Sequence, residues 1–194
     1  MTLPRRDIQY HTYGEYLTWP DDRRDELIDG VAYIKEPPAP TRTHQKLLGA
    51  LHGQLYVALE GKPYDLYMAP FDVRLPKADE ADKDIDTVVQ PDLLIVRDLH
   101  KLDERGMRGA PDWLAEILSP STARYDRVLK LAAYERAGVR EVWLVNPINR
   151  TVTLHELQDG RYGPPVLQSL KGKTSLTAIP DLHIDWDRAL SRLE

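Results

Sequence analysis

The chain contains no cysteine. That absence excludes disulfides, thiolate nucleophiles and cysteine-ligated zinc or iron-sulfur centres, so any metal must be held by oxygen or imidazole. No apolar run approaches the ~18 residues of a membrane span, and the opening stretch MTLPRRDIQYHTYGEYL has no apolar core like that of a secretory signal. A cytoplasmic location with no membrane association is the expectation. Excess basic charge is lacking too: the formal net charge of -5 counts against a protein that coats nucleic acid through a general positive field. It leaves room for a nuclease, because an acidic metal site inflates the negative count until its ions are bound. Also missing are a phosphate-binding loop, a dinucleotide fingerprint, a nucleophile elbow and any pair of histidines at zinc-ligand spacing. Acyl transfer, nucleotide-cofactor chemistry and zinc chemistry are therefore disfavoured.

What is present is the composition of a soluble globular protein, 42% hydrophobic and 29% charged, in 194 residues. That length suits one substantial core, so a single domain spanning residues 1–194 is expected. Thr12 followed by Glu15 has capping-box spacing and suggests a short helix ending near Trp19 and Pro20. DELIDGVAYIKE reads as a hairpin turning at Asp29–Gly30, with Glu26 on its first strand. Leu47, Leu51, Leu55 and Ala58 recur at helical spacing between Thr41 and Glu60. DLYMAP and FDVRLP read as strands, the acidic run Lys77 to Asp86 as a solvated loop, and HKLDERGMRGAP as a basic loop. TVVQPDLLIVRD is nearly continuous in apolar character, the pattern of one strand covered on both faces. Asp112 to Leu118 reads as another strand. It leads into a helix capped by Ser121 or Thr122 and stopped at Gly138, and then into the strand REVWLVNP. A second hairpin turning at Asp159–Gly160 and a short helix in DWDRALSRL close the chain.

Two of these apolar strands each carry a lone acid, Asp92 and Glu116. Burying an unpaired carboxylate costs several kcal/mol, so each needs a partner, a proton or a metal. On neighbouring strands they could converge on Mg²⁺ or Mn²⁺; at strand ends they could instead pair with an arginine such as Arg97. Lys130 follows on the next helix, with Asp126 and Tyr134 one turn to either side. Near a carboxylate-held ion it could orient water or neutralise developing charge. Periodicity argues otherwise, because Val128, Leu129, Leu131 and Ala132 form the more apolar side and leave Lys130 exposed beside Asp126. Glu26 could add a ligand or simply face solvent. His44 and Gln45, opening the long helix, could meet a phosphate or merely cap the first turn.

Taken as a set, YLTWPDDRRDELIDGVAYI, HQKLLGALHGQL, VVQPDLLIV and APDWLAEILSPSTARYDRVLKLAAYERAGVREVWLVNP, with the TVTLHEL hairpin, resemble the Uma-two family of restriction endonucleases, a branch of the PD-(D/E)XK nuclease superfamily. The resemblance implies an α/β fold with a restriction-endonuclease-like core: a mixed central β-sheet flanked by helices, with additional β-hairpins. It implies that Asp92 and Glu116 are the two acids of the motif and bind Mg²⁺ (or Mn²⁺). Glu26 matches the N-terminal acid of the pattern, and His44 a position near the site. The superfamily lysine two residues after the second acid is replaced here by Leu118, and the family supplies its cation from the following helix, at Lys130.

The expectation is a Mg²⁺-dependent endonuclease hydrolysing phosphodiester bonds of nucleic acid, with DNA the expected partner. Asp92, Glu116 and the backbone carbonyl of Ile117 would hold the ion, Lys130 would orient the attacking water, and Glu26 would help hold a second ion or the first ion's water shell. His44 and Gln45 would meet substrate, as would Arg124 and Arg127 with Arg105 and Arg108 nearby. A homodimer would suit cutting of both strands. The alternative is a catalytically inactive nuclease-fold protein acting as a binding or assembly module, a reading the missing lysine favours and the two retained acids oppose.

Overall fold

The strand Trp113–Ile117 is buried along its whole length, so it must be covered on both faces. Its parity divides the molecule. Trp113, Ala115 and Ile117 enter one core, shared with Leu47, Leu51 and Leu55 of the long helix Arg42–Ala58. Leu114 and the following Leu118 enter a second core with Tyr125, Ala133 and Tyr134. Glu116 has the parity of this second face.

The structure is a computed structural model that describes residues 5–20, 25–34, 40–120, 123–191 and 193. Its main sheet runs, edge to edge, Arg161–Tyr162, Thr151–Gln158, Glu141–Asn146, Trp113–Ile117, Leu93–Val96 and Asp65–Met68, with Val166–Ser169 also paired to Thr151–Gln158. Trp113–Ile117 and Glu141–Asn146 are parallel and the other neighbours antiparallel, so the sheet is mixed. A parallel pair needs a long crossover, and residues 123–137 supply it as a helical segment laid over the second core. Gly138 stops that helix in the left-handed conformation, φ 84°.

A second sheet helps to cover the same face. Its order is Arg5–Tyr10, Val31–Ile34, Asp25–Ile28, Val88–Val89, Val73–Arg74, Gly106–Arg108 and Leu102–Asp103. Asp29 and Gly30 make the expected turn, both at positive φ. A small pair, Lys173–Ser175 with His183–Asp185, leads into the helix Trp186–Leu190, which adds Trp186 to the first core. Among the described residues no helix is long and apolar enough to cross a membrane.

Several expectations need correction. TVVQPDLLIVRD is not one strand: Val88–Val89 belongs to the second sheet and Leu93–Val96 to the main one. Pro91 has no N–H to give a ladder, and the chain bends at Asp92, so it changes sheets there. The basic loop contains the pair Leu102–Asp103 and Gly106–Arg108, and in FDVRLP only Val73–Arg74 is strand. The acidic run is not wholly solvated. Asp82 pairs with the buried Arg74 and with Arg108, and buried Asp86 accepts bonds from Lys77 at 2.6 Å and Tyr10 at 3.0 Å. Thr12 does precede the helix Tyr13–Tyr16, but its side chain makes no capping hydrogen bond. The caps assigned to Ser121 or Thr122 lie outside the described residues.

Candidate active site

The change of sheet at Gln90–Asp92 brings the two sheets and the crossover helix to one place. From the second sheet, Glu26 reaches in, and its Oε1 accepts the Gln90 N–H at 2.7 Å. From the main sheet come Asp92 and Glu116. Trp113 pairs with Ile95, Leu114 with Leu94 and Ala115 with Leu93, so one further step of this register sets Glu116 opposite Asp92. The ladder stops short of that step. Oδ2 of Asp92 accepts the Ile117 N–H at 2.7 Å and a bond from His44 Nε2 at 3.2 Å. Burial pushes the Asp92 carboxyl upward, but these two bonds and the charge of Lys130 outweigh it and hold the group below the ordinary aspartate range.

Lys130 is fully buried. Its Nζ lies 2.5 Å from Glu116 Oε1, 3.1 Å from Glu26 Oε1 and 4.0 Å from Asp126 Oδ1. Desolvation works against the ammonium, yet Glu116, Glu26 and Asp126 more than offset it, so Lys130 is held protonated well above the usual lysine range. Tyr134 donates its hydroxyl to the same Oε1 of Glu116 at 2.5 Å, and burial, followed by Glu116, drives its own ionisation far up.

The periodicity reading of Lys130 as an exposed partner of Asp126 is therefore overturned. The reason is local: residues Asp126–Lys130 form a π-helical turn between the α-helical stretches Ala123–Tyr125 and Leu131–Ala137. Such a turn inserts a residue into the winding and shifts which side chains face the sheet. Tyr125, Asp126, Lys130, Ala133 and Tyr134 point inward, while Val128, assigned to the apolar side, stands 56% exposed. Among the described residues Arg97 makes no ion pair with either acid; its backbone N–H is donated to Asp112 Oδ2.

The remaining candidates are spread around this centre. His44 is placed by its helix start, where Thr41 Oγ1 accepts the His44 N–H at 3.2 Å. Gln45 is exposed beside it, and Arg124 and Arg127 are exposed on the crossover helix. Arg105 is exposed as well, whereas Arg108 is engaged by Asp82 and the Glu80 carbonyl. The sequence reading gave no role in the site to Tyr134 or to the Gln90 N–H. The i, i+4 spacing of Asp126, Lys130 and Tyr134 marks them as one face of the helix without saying that this face is the buried one.

A divalent ion can be tested against these donors. Among the described residues no three His, Asp or Glu side chains gather as a ligand set. Asp92 Oδ2 accepts the N–H of Ile117, the residue after Glu116, and Asp92 Oδ1 receives no hydrogen bond among the described residues. All these donors are oxygen, so they fit a hard cation that completes its shell with backbone carbonyl and water. Asp92, Glu116 and the Ile117 carbonyl would hold it.

A family model described as "Uma2: Putative restriction endonuclease" matches residues 13–190. The chain belongs to the Uma2 family. The fold agrees: a crystal structure of a "putative nuclease belonging to DUF820" from Anabaena variabilis superposes with a TM-score of 0.73 at 19% identity, covering 94% of this chain and 99% of that one. No curated protein matches the chain. In this Uma2 chain Leu118, two residues after Glu116, packs in the second core.

Proposed function

We propose that the chain is a metal-dependent endonuclease that hydrolyses phosphodiester bonds of nucleic acid, with DNA as its substrate. The observation that carries this reading is the placement of Lys130. A lysine absent from the strand at Leu118 enters instead from the helix, and its ammonium meets both Glu26 and Glu116. A buried lysine with no other task would be a costly way to stabilise a fold.

When bound, Mg²⁺ or Mn²⁺ would polarise the scissile phosphate and acidify a water. The chain's own residues do the rest. Lys130, held protonated by Glu116 and Glu26, would add a fixed positive charge behind the carboxylates that face the attacked phosphate. Tyr134 and Lys130 both address Glu116 Oε1, fixing that carboxylate's rotamer. His44 and the Ile117 N–H do the same for Asp92 through Oδ2. Asp92, with 19% of its side chain exposed, marks the side open to substrate, whereas Glu26 and Lys130 are sealed behind it. Gln45, Arg124 and Arg127 stand exposed on the two flanking helices and would contact the phosphate backbone without reading sequence.

The same sealing favours the second reading, a non-catalytic nuclease-fold module whose cluster only holds the sheets together. Incubating supercoiled plasmid with purified protein, with and without Mg²⁺ or Mn²⁺, separates the two. Metal-dependent nicking that is lost in Asp92→Asn supports the nuclease. Absence of cleavage under both metals, with intact folding, supports the module.

A further inference from the structure

The outward face of the long helix Arg42–Ala58 has an unusual make-up. Large apolar side chains stand in solvent at its C-terminal end, with Tyr56 and Val57 each 68% exposed. Towards its N-terminal end the same face is hollow. A cavity of about 490 Å³ lies there, lined by Lys46, Gly49, Ala50, Gly53, Gln54 and Arg188 of the helix Trp186–Leu190. A Cβ added at Gly49 or Gly53 would meet nothing within 4 Å. Glycine in a helix interior costs stability relative to alanine, and among the described residues nothing comes close enough to require it at either place. One half of the face therefore projects and the other half recedes.

We propose that this face is the interface of a homodimer, in which the helix packs antiparallel against the same helix of a second copy about a two-fold axis at Gly53. The reason for choosing a second copy is self-complementarity. Antiparallel pairing centred on Gly53 sets each residue against the one whose number completes a sum of 106. Gly49 then meets the partner's Val57, and Ala50 meets the partner's Tyr56, so each projecting side chain enters the hollow of the other copy. Gly53 meets itself, where the axis brings two backbones closest. The charges agree as well, since Lys46 falls opposite the partner's Glu60, just past the helix end. Exposed ion pairs of this kind contribute little affinity but disfavour the parallel arrangement, which would set like charges together. A two-fold contact requires such a self-complementary patch. A helix pair is a small interface, so the dimer should dissociate on dilution. The leucines that bury the opposite side of the helix, Leu47, Leu51 and Leu55, remain in the core.

The absence of cysteine makes the test direct. Analytical ultracentrifugation of the full chain should show twice the monomer mass at high concentration, falling on dilution. Gly53→Cys should form a disulfide-linked dimer almost completely under mild oxidation, because a residue on the axis is within the ~4.4–6.8 Å Cα separation that a disulfide spans. Gly49→Cys together with Val57→Cys should cross-link, and Ile148→Cys, on an exposed site elsewhere, should not. Gly53→Arg, whose side chain enters open space in the single chain, should leave the melting temperature of the isolated chain no lower and shift the mass to that of a monomer. A chain that is monomeric at every concentration overturns the proposal. So does a dimer that Gly53→Cys does not cross-link and Gly53→Arg does not break. A monomer whose retention of nucleic acid falls with Gly53→Glu also overturns it, in favour of a groove for a polyanion. None of these readouts depends on nuclease activity.

Discussion

Lys130 Nζ and Glu116 Oε1 are 2.5 Å apart, joined from a helix and a strand with both side chains withdrawn from solvent. Removing one member of a buried pair leaves the other charged and unsolvated. Lys130→Met should therefore lower stability by about 3–5 kcal/mol, far beyond the loss of an exposed ion pair. If the cation also stabilises the transition state, cleavage measured below the variant's melting temperature should fall by roughly 10²-fold or more. A variant as stable and as active as wild type would remove Lys130 from both roles. Leu118→Lys added to Lys130→Met tests the equivalence of the two positions, and recovered cleavage is the expected result.

Divalent metal should raise the melting temperature of the wild type, because an ion that binds only the folded state stabilises it by mass action. Asp92→Ala should abolish that shift. Retention of the full Mg²⁺ or Mn²⁺ response in the variant would show that Asp92 is not a principal ligand.

His155 gives a pH prediction remote from the acids. Burial, aided by the positive charge of Arg127, lowers its pKa below the ordinary histidine value. The unfolded chain then takes up a proton at higher pH than the folded one does. Stability contributed by neutral His155 is full above about pH 6.5 and declines as pH falls from there to the depressed folded value. A melting-temperature profile from pH 8 to pH 5 should fall in that window and be flatter in His155→Gln. Identical slopes would dismiss the assignment.

Gly106 sits at φ 127°, and a Cβ there would lie 2.2 Å from the Asp72 carbonyl oxygen. The obstruction is backbone, which cannot rotate aside. Gly106→Ala should cost about 2 kcal/mol or more in denaturant unfolding. A neutral result would mean that the strand Gly106–Arg108 can shift away from its parallel partner Val73–Arg74.

The elements governed by local chemistry were legible in the sequence. Asp29–Gly30 and Asp159–Gly160 make their turns, Gly138 ends its helix, and Leu47, Leu51 and Leu55 bury the face their spacing indicated. Family resemblance further singled out Glu26, Asp92, Glu116 and Lys130, of which the structure joins Glu26, Glu116 and Lys130 directly. Two features could not be read from periodicity. An apolar run looks the same whether it remains in one sheet or passes between two, so the break at Pro91 was hidden. The side facing the sheet around Lys130 depends on a π-helical turn, and a fixed 100° step per residue assigns the wrong face beyond it.

The transfer of the chain from one sheet to the other at Pro91–Asp92 makes the site a seam. Its acids are sewn into different sheets, Glu26 into the smaller and Glu116 into the larger, and one lysine spans the join. Slippage between the sheets would part these side chains while each sheet kept its own ladder of hydrogen bonds. Substitutions that leave every acid in place, among Leu27, Val88 and Val73 in the smaller sheet, would then disturb the site while the spectroscopic signature of the larger sheet persists. Activity would thus act as a gauge of alignment between the sheets, failing before the fold does.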